Sequence, residues 1–332
     1  MTKGEGHRLL LVTGGLALGG GAIGWVVKQA GVADVQQVVT RALPFLALVF
    51  ALEGCRIATE LFAAQSLFGR LKGVVPTGAL VRAQLVGYAV CNVLPVGRAA
   101  CEATKAGLLA PHAGLPKTAA VATIAQALHL IASAIILVPC VVAARHASAS
   151  LALSLTIFGQ CALLAAIGGV LLLVAYFAPR RIPWLKGIPK LAAALEAFRA
   201  AMRQLPSFPI AALGWLVLHR VLQVVLLAVL LRAVGSAFSL TGPLMAEAVS
   251  LIGASTFDFV PGQIGALEAA FGLFATVIGT TPANAVAVAL LIHIVQSSWV
   301  LAGVAVLLLG RRPVPSSTTW RLTPEEARAP IL

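Results

Sequence analysis

Residues 92–102 read Asn92-Val-Leu-Pro95-Val-Gly97-Arg98-Ala-Ala-Cys-Glu102 and lie in the middle of the apolar region 76–110. Proline removes a backbone donor and clashes with the preceding helical turn, and glycine adds backbone freedom. The sequence therefore predicts two short helices that meet at Pro95-Val96-Gly97. Each piece has about 13–18 residues, whereas crossing a bilayer takes about 20. We expect a re-entrant hairpin, and two tightly kinked spans are the alternative.

A similar interruption occurs in the second half of the chain. Residues 258–268 read Asp258-Phe-Val-Pro261-Gly262-Gln-Ile-Gly265-Ala-Leu-Glu268, within the apolar region 243–279. In both stretches an amide or acid stands three residues before the proline and a glutamate seven after it. The prolines are 166 residues apart, half of the 332-residue chain. Broken backbone at membrane depth is tolerated only inside protein or beside a watery cavity, so both breaks should point inward.

Uninterrupted apolar segments account for most of the remaining chain. Apolar residues make up 60% and charged residues 11%, whereas soluble domains have about 45–50% and about 25%. The runs are continuous and lack period-2 alternation, which excludes a β-barrel. We therefore predict an all-α polytopic membrane protein with two broken hairpins and about six full transmembrane helices. These spans are roughly 9–27, 43–66, 118–143, 151–177, 208–234 and 283–309.

The basic residues predict the orientation. They are concentrated at the start of the chain, in the connector 179–207 and in the tail. This distribution predicts that the protein lies in the cell (inner) membrane with both termini in the cytoplasm. Few remain for the opposite side: Lys28, Arg41, Arg145 and Arg232. The two hairpins then enter from opposite faces as an inverted-topology repeat. The net charge of +13 is explained by topology and anionic lipid, so we expect no nucleic-acid partner.

This topology divides the chain into four parts. Residues 1–178 form the first membrane half, and 208–310 form the second. Residues 311–332, rich in Pro, Ser and Thr, are predicted to be a disordered cytoplasmic tail. Between the halves, 179–207 should form an amphipathic helix on the cytoplasmic surface. Its apolar face follows a helical period: Leu191, Leu195, Phe198, Met202 and Leu205.

The half-helices that follow the breaks offer unpaired N–H groups and partial positive charge, which suit a phosphate. We expect a lipid phosphate to visit these helix starts, with Arg98 beside the first. The alternative is that the breaks only let helices pack. The predicted substrate-binding residues are Asn92, Pro95, Gly97, Arg98 and Glu102, then Asp258, Pro261, Gly262, Gly265 and Glu268.

Two glutamates lie within apolar helices, where a charge is costly unless it is paired, protonated or hydrated. Glu102 has Lys105 three residues on and Arg98 four back, so a structural ion pair is one interpretation. Headgroup coordination or proton coupling is the other. Glu268 has no cation nearby in sequence, so it should pair across the fold or be protonated.

Further polar residues form candidate paths. Glu53, Arg56 and Glu60 share a helix face, so Arg56 can pair with both acids, and Glu60 is expected near the cytoplasmic interface. Two interpretations of these three residues are open: they form a triad that satisfies its own charges, or they line a path for the lipid headgroup. His219 and Arg220 occupy a comparable place in the second half. Two histidines follow the broken regions and are candidate proton relays, although buried packing residues are the alternative: His129 and His293.

At these motifs the chain resembles the transmembrane region of lysylphosphatidylglycerol synthases. The matched positions are Asn92, Pro95, Gly97 and Glu102, then Pro261, Gly262, Gly265 and Glu268. The resemblance implies translocation of a phospholipid to the other leaflet. Gln126, His129 and His293 stand where the family's arginines are expected. The soluble aminoacyl-transfer domain is missing, so the chain is not expected to be an enzyme that makes the lysylated lipid.

We therefore predict a lipid flippase or transporter that moves a phospholipid or other anionic lipid by alternating access around a midplane polar cavity. An ion-coupled small-solute transporter is the alternative; a membrane-embedded lipid-modifying enzyme and a scaffold are two further hypotheses. The sequence has no ATP-binding motif, so transport should use an ion gradient or run downhill. Membrane lipids are the expected partners, an oligomer is possible, and no metal or cofactor is predicted.

Overall fold

The computed structural model describes residues 28, 31–69, 75–94, 97–147, 150–177, 189–205, 209–237, 239–256 and 260–309. Within these ranges every regular element is a helix. The first six helices are α1 Val32–Ala42, α2 Leu46–Phe68, α3 Thr77–Val93, α4 Gly97–Ala113, α5 Leu115–His146 and α6 Leu151–Phe177. The others are α7 Pro189–Arg203, α8 Ile210–Ala233, α9 Thr241–Thr256, α10 Ala266–Leu273, α11 Ala275–Ile278 and α12 Pro282–Leu309. Short 3-10 turns lie at Leu43–Phe45 and Pro261–Gln263.

Five long helical segments in the described ranges are apolar enough to cross a membrane. They are Val32–Phe68, Leu115–His146, Leu151–Phe177, Ile210–Ala233 and Pro282–Leu309. At about 1.5 Å per residue, each exceeds the hydrocarbon thickness of about 30 Å. They match five predicted spans, and the sixth, 9–27, lies outside the described residues. The structure therefore confirms a helical membrane fold.

The first described span begins earlier than predicted. Residues 32–42 were expected to connect two spans, but they form α1 and continue through a 3-10 turn into α2. Val35 and its partly buried neighbour Val39 pack beside Val286 of α12, while Asp34 and Arg41 are exposed. This one-sided apolar pattern at helical spacing stabilises the extra turns against α12.

Both proline-containing regions are broken helices, as predicted. In the first, α3 ends at Val93 and α4 begins at Gly97, and Leu94 between them is extended. Pro95 and Val96 lie outside the described residues. In the second, α9 is followed by the turn at Pro261–Gln263 and then by α10 and α11. Asp258 lies outside the described residues, as does the side chain of Pro261.

The two breaks lie against each other. The end of α3 contacts the turn at Pro261–Gln263. Gly262 has a φ of 63°, a conformation that other residues rarely adopt. A Cβ atom added there would lie 3.0 Å from the carbonyl oxygen of Asn92. Glycine at this position therefore permits both the turn and the close approach of the two chain segments.

Two apolar clusters stabilise opposite ends of the helix bundle. One contains Val49 of α2, Leu137 of α5 and Leu230 of α8. The other contains residues from the opposite ends of the same three helices, Leu67 and Leu216 among them. The polar side chains of α2, α5 and α8 lie between these clusters along each helix. The fold thus places a polar layer between two hydrophobic cores.

The predicted amphipathic segment forms α7, which packs against α5 and α6. Met202 and Leu205 are buried in the second cluster, and Phe198 packs against it. The side chain of Leu191 lies outside the described residues, as do residues 311–332. The contact shows that this helix is anchored to the bundle through its apolar face.

Candidate functional site

A cavity of about 380 Å³ lies in the polar layer. Ten of the candidate residues line it: Glu53, Arg56, Glu60, Asn92, Arg98, His129, His219, Arg220, Gly262 and His293. Four other described candidates do not line it: Gly97, Glu102, Gly265 and Glu268. The exposed residues Leu94 and Ser255 also line the cavity. It therefore reaches the protein surface between the first break and the end of α9.

Glu60 is the centre of the polar network. Both terminal nitrogens of Arg98 donate to its Oε1 at 3.1 Å, and Gln84 donates to its Oε2 at 2.6 Å. Two histidines approach the same Oε1: Nε2 of His129 at 3.2 Å and Nδ1 of His219 at 3.7 Å. Five helices, α2 to α5 and α8, thus bring side chains to one carboxylate.

This arrangement corrects one expectation for α2 and leaves another open. Glu60 is buried, with 7% exposure, and its expected place near the cytoplasmic interface stays a prediction. Arg56 was expected to bind both acids, but its ion pair is with Glu53. Its other terminal nitrogen lies 3.0 Å from Nε2 of His219. Packing of α2 against α8 provides this alternative partner, which sequence spacing within α2 does not reveal.

Tyr88 and Gln84, both on α3, were missed in the sequence. The hydroxyl of Tyr88 donates to Oε1 of Glu53 at 2.6 Å. Gln84 also accepts from Nζ of Lys105 at 3.4 Å. Both are polar residues within an apolar helix. A buried polar group needs a hydrogen-bond partner, so this pattern could have identified them as members of a polar site.

Glu102 faces away from the cavity and forms an ion pair with Lys105, whose Nζ lies 2.5 Å from Oε1. Arg98, the other predicted partner, binds Glu60 instead. Both Glu102 and Lys105 are buried, and such charges are tolerated in an apolar helix only when compensated. The structural ion pair considered from the sequence is therefore present, and a headgroup contact at Glu102 stays a prediction.

The second half contributes two further acids. Glu268 is fully buried and accepts from the backbone N–H of Gly265 at 2.8 Å, which caps α10. Nε2 of His293 lies 3.3 Å from its Oε1, but neither atom makes a well-directed hydrogen bond in the described structure, so an ion pair across the fold stays a prediction. Glu247, which sequence analysis overlooked, lies 3.5 Å from Nη1 of Arg220. Glu247 is a single acid within an apolar helix, a pattern that by itself indicates a functional or paired charge.

Exposure differs between the cations and their partner acids. The side chain of Arg98 is 27% exposed and that of Arg220 is 19% exposed, whereas Glu60 and Glu247 are 7% and 1% exposed. Both arginines line the cavity. Glu60 also lines the cavity, whereas Glu247 does not. In each pair the arginine is therefore the more accessible partner.

Several buried polar atoms of the cavity wall have no hydrogen-bond partner in the described part of the chain. They include Oε1 of Gln126 and Nε of Arg220. An unsatisfied buried polar group costs about 1–3 kcal/mol. Water or a ligand with polar groups would remove this cost, so the arrangement suits a polar occupant.

No match was found among curated proteins. The family model of the lysylphosphatidylglycerol synthase TM region matches residues 12–305, which include every described helix except the last turn of α12. The match covers nearly the whole chain and agrees with the long apolar helices. This chain is thus a multi-pass membrane protein related to lipid handling, and it belongs to the lysylphosphatidylglycerol synthase TM region family.

Proposed function

We propose that this protein moves a phospholipid or another lipid with an anionic headgroup between the two leaflets of the membrane. The observation that carries the proposal is that Arg98 and Arg220 both line the cavity and that each is more exposed than the acid with which it pairs. Arginine binds phosphate through parallel N–H donors. Membership of a family associated with a lipid-modifying synthase supports a lipid as the ligand.

The size and opening of the cavity favour entry of the headgroup alone. About 380 Å³ holds a phosphate and its polar substituent but is too small for a whole phospholipid. The lipid phosphate would contact Arg98, and the acyl chains would remain outside the opening beside Leu94 and Ser255. Such partial entry avoids placing a charged headgroup in hydrocarbon, which is the main barrier to spontaneous exchange.

Alternating access would use the two broken hairpins. We propose that they form an inverted-topology repeat and that one moves against the other around the contact between Asn92 and Gly262. The polar layer between two apolar clusters supports a site near the midplane. The distribution of basic residues supports cytoplasmic termini, with α7 on the same side.

An ion-coupled small-solute transporter is the second candidate. Its support is the set of donors that Arg98, Arg220 and Asn92 bring to the cavity wall, which would suit a small soluble anion as well as a headgroup. The two candidates share the arginine site and differ in whether acyl chains are part of the substrate.

A leaflet-exchange assay tests the proposal. Protein is reconstituted into vesicles with fluorescent phosphatidylglycerol or phosphatidylcholine, and accessible label is quenched over time. We expect faster exchange of phosphatidylglycerol, with a loss of roughly tenfold or more in Arg98→Gln and Arg220→Gln, because a charged hydrogen bond contributes about 1.5–3 kcal/mol. Arg232→Gln is the matched control, since Arg232 is an exposed residue of the same helix as Arg220.

The assay also separates the two candidates. Exchange of every lipid at the rate of protein-free vesicles would refute lipid transport. Uptake of labelled glycerol phosphate by the same vesicles would then support the small-solute alternative. Thermal unfolding of each variant in detergent shows whether a lost activity reflects a lost fold. The variant Arg98→Lys retains the positive charge but removes the paired N–H donors, so it separates the effect of charge from that of geometry.

A further inference from the structure

We infer that the cavity takes up one proton with each anionic headgroup, at a site formed by Glu60 and His129. This inference rests on the proposed function and names its coupling ion. The headgroup would displace Glu60 from Arg98, and the proton would neutralise the carboxylate that is left behind.

Competition for Arg98 is the first step. Its two terminal nitrogens both donate to one oxygen of Glu60, and these are the donors that a phosphate would use. The side chain of Arg98 is the more accessible partner, at 27% exposure against 7%. A phosphate therefore reaches Arg98 from the cavity side and replaces Glu60 as its acceptor.

The released carboxylate then needs a new positive partner, because an uncompensated buried charge is strongly destabilising. Nε2 of His129 lies 3.2 Å from the same oxygen. Nδ1 of His219 is 3.7 Å from it, but this nitrogen lies closer to the carbonyl oxygen of Arg56, at 3.1 Å, and Nε2 of His219 faces the Arg56 guanidinium. In the described structure, neither ring nitrogen of His129 makes a well-directed hydrogen bond. The imidazole of His129 is therefore available to accept a proton and pair with Glu60.

The surrounding charges require the proton to arrive with the anion. The groups around Glu60 and the two histidines are Arg98 and Lys105 on α4, Arg56 with Glu53 on α2, and Arg220 with its acid Glu247. A protonated histidine added beside these arginines and Lys105, without an anion, is unfavourable. Adding one headgroup charge and one proton together leaves the net charge of the cluster unchanged.

A polar route leads from Glu60 away from the main opening. Gln84 bridges Glu60 and Lys105, and Lys105 and Glu102 line a small cavity of about 20 Å³. This volume can hold a single water molecule. The same cavity shares Phe68 and Leu80 with a pocket of about 250 Å³ between α2 and α3. The polar contacts that lead from Glu60 to Lys105 therefore end beside a small cavity whose lining is separate from that of the main cavity.

The test measures proton uptake during lipid binding. Short-chain phosphatidylglycerol, below its micelle concentration, is titrated into purified protein in weakly buffered detergent with a pH indicator. We expect close to one proton taken up per lipid bound. By linkage, binding must then strengthen at lower pH, by up to about tenfold per pH unit where the site titrates.

Variants assign the site. Glu60→Gln removes both the competitor for Arg98 and the charge to be neutralised, so phosphatidylglycerol binding should persist while proton uptake disappears. His129→Gln should reduce the uptake. Glu196→Gln is the matched control, because Glu196 is exposed on α7 and lies outside the cavity, and it should take up protons like the wild type.

The outcomes separate this inference from the proposed function. Binding without proton uptake, at equal affinity between about pH 5.5 and 8, would overturn the exchange and leave lipid transport standing. Absence of phosphatidylglycerol binding at every pH would overturn both. Unchanged proton uptake in Glu60→Gln would show that the proton binds at another site, and would overturn the assignment to Glu60. Even if a variant does not fold, the titration of the wild-type protein shows whether proton uptake accompanies lipid binding.

Discussion

Replacement of Gly262 by alanine should weaken the junction between the two broken helices. Gly262 has a φ of 63°, and an L-residue in this left-handed conformation costs roughly 1–2 kcal/mol. Its new Cβ would lie 3.0 Å from the backbone oxygen of Asn92, which cannot rotate away. Such overpacking costs about 1 kcal/mol or more. We therefore expect a total destabilisation of about 2–3 kcal/mol.

The chain provides a control for the backbone strain alone. Gly279 also has a positive φ, 81°, but a Cβ added there meets nothing within 4 Å. Gly279→Ala should therefore cost only the conformational part, roughly 1–2 kcal/mol. The difference between the two variants isolates the contact of Gly262 with Asn92. The shift is about 2–4 °C per kcal/mol for 150–250 residues and smaller for longer chains, so Gly262→Ala should unfold roughly 1–3 °C below Gly279→Ala.

Thermal unfolding in detergent, followed by the reaction of buried cysteines with a thiol dye, provides the measurement. The phosphatidylglycerol exchange rate of the same proteins is the second readout, and it should fall only in Gly262→Ala because only that variant separates the breaks. Equal unfolding temperatures and equal exchange rates for the two variants would refute the close contact of the two breaks.

Three further changes probe the packing of the site. Gly303→Ala would place a Cβ 2.3 Å from the backbone oxygen of Leu85 and should destabilise the α3–α12 contact by about 1–3 kcal/mol; unchanged thermal unfolding would contradict this. Lys105→Met should leave Glu102 buried without its cation and cost about 3–5 kcal/mol, and a variant as stable as the wild type would show that the pair is dispensable. Glu268→Ala leaves the buried backbone N–H of Gly265 without its acceptor and should cost about 1–3 kcal/mol; a variant that unfolds at the wild-type temperature would show that this bond is not needed.

Local chemistry made much of the fold predictable. Proline and glycine disrupt a helix wherever they occur together in an apolar region, so both breaks were located from Pro95 and Pro261. Long apolar runs likewise identified five spans. Residues 32–42 were missed because this short helix has several polar residues, and its stability depends on packing against α12.

The partners of the charged residues were less predictable. Spacing along a helix identified the pair of Glu102 with Lys105, three residues apart. It could not reveal that Arg98 binds Glu60, 38 residues away, or that His219 meets Arg56, 163 residues away. These contacts depend on how helices pack, which one sequence does not encode in any local pattern.

The most direct test of the central claim is a cryo-EM structure of the protein in nanodiscs that contain phosphatidylglycerol. If the headgroup enters the cavity, its density should lie inside, with a phosphate within hydrogen-bond distance of the terminal nitrogens of Arg98. The turn at Gly262 should also lie against Asn92. Headgroup density found only on the outer surface of the protein, with an empty cavity or with the two breaks apart, would contradict the claim.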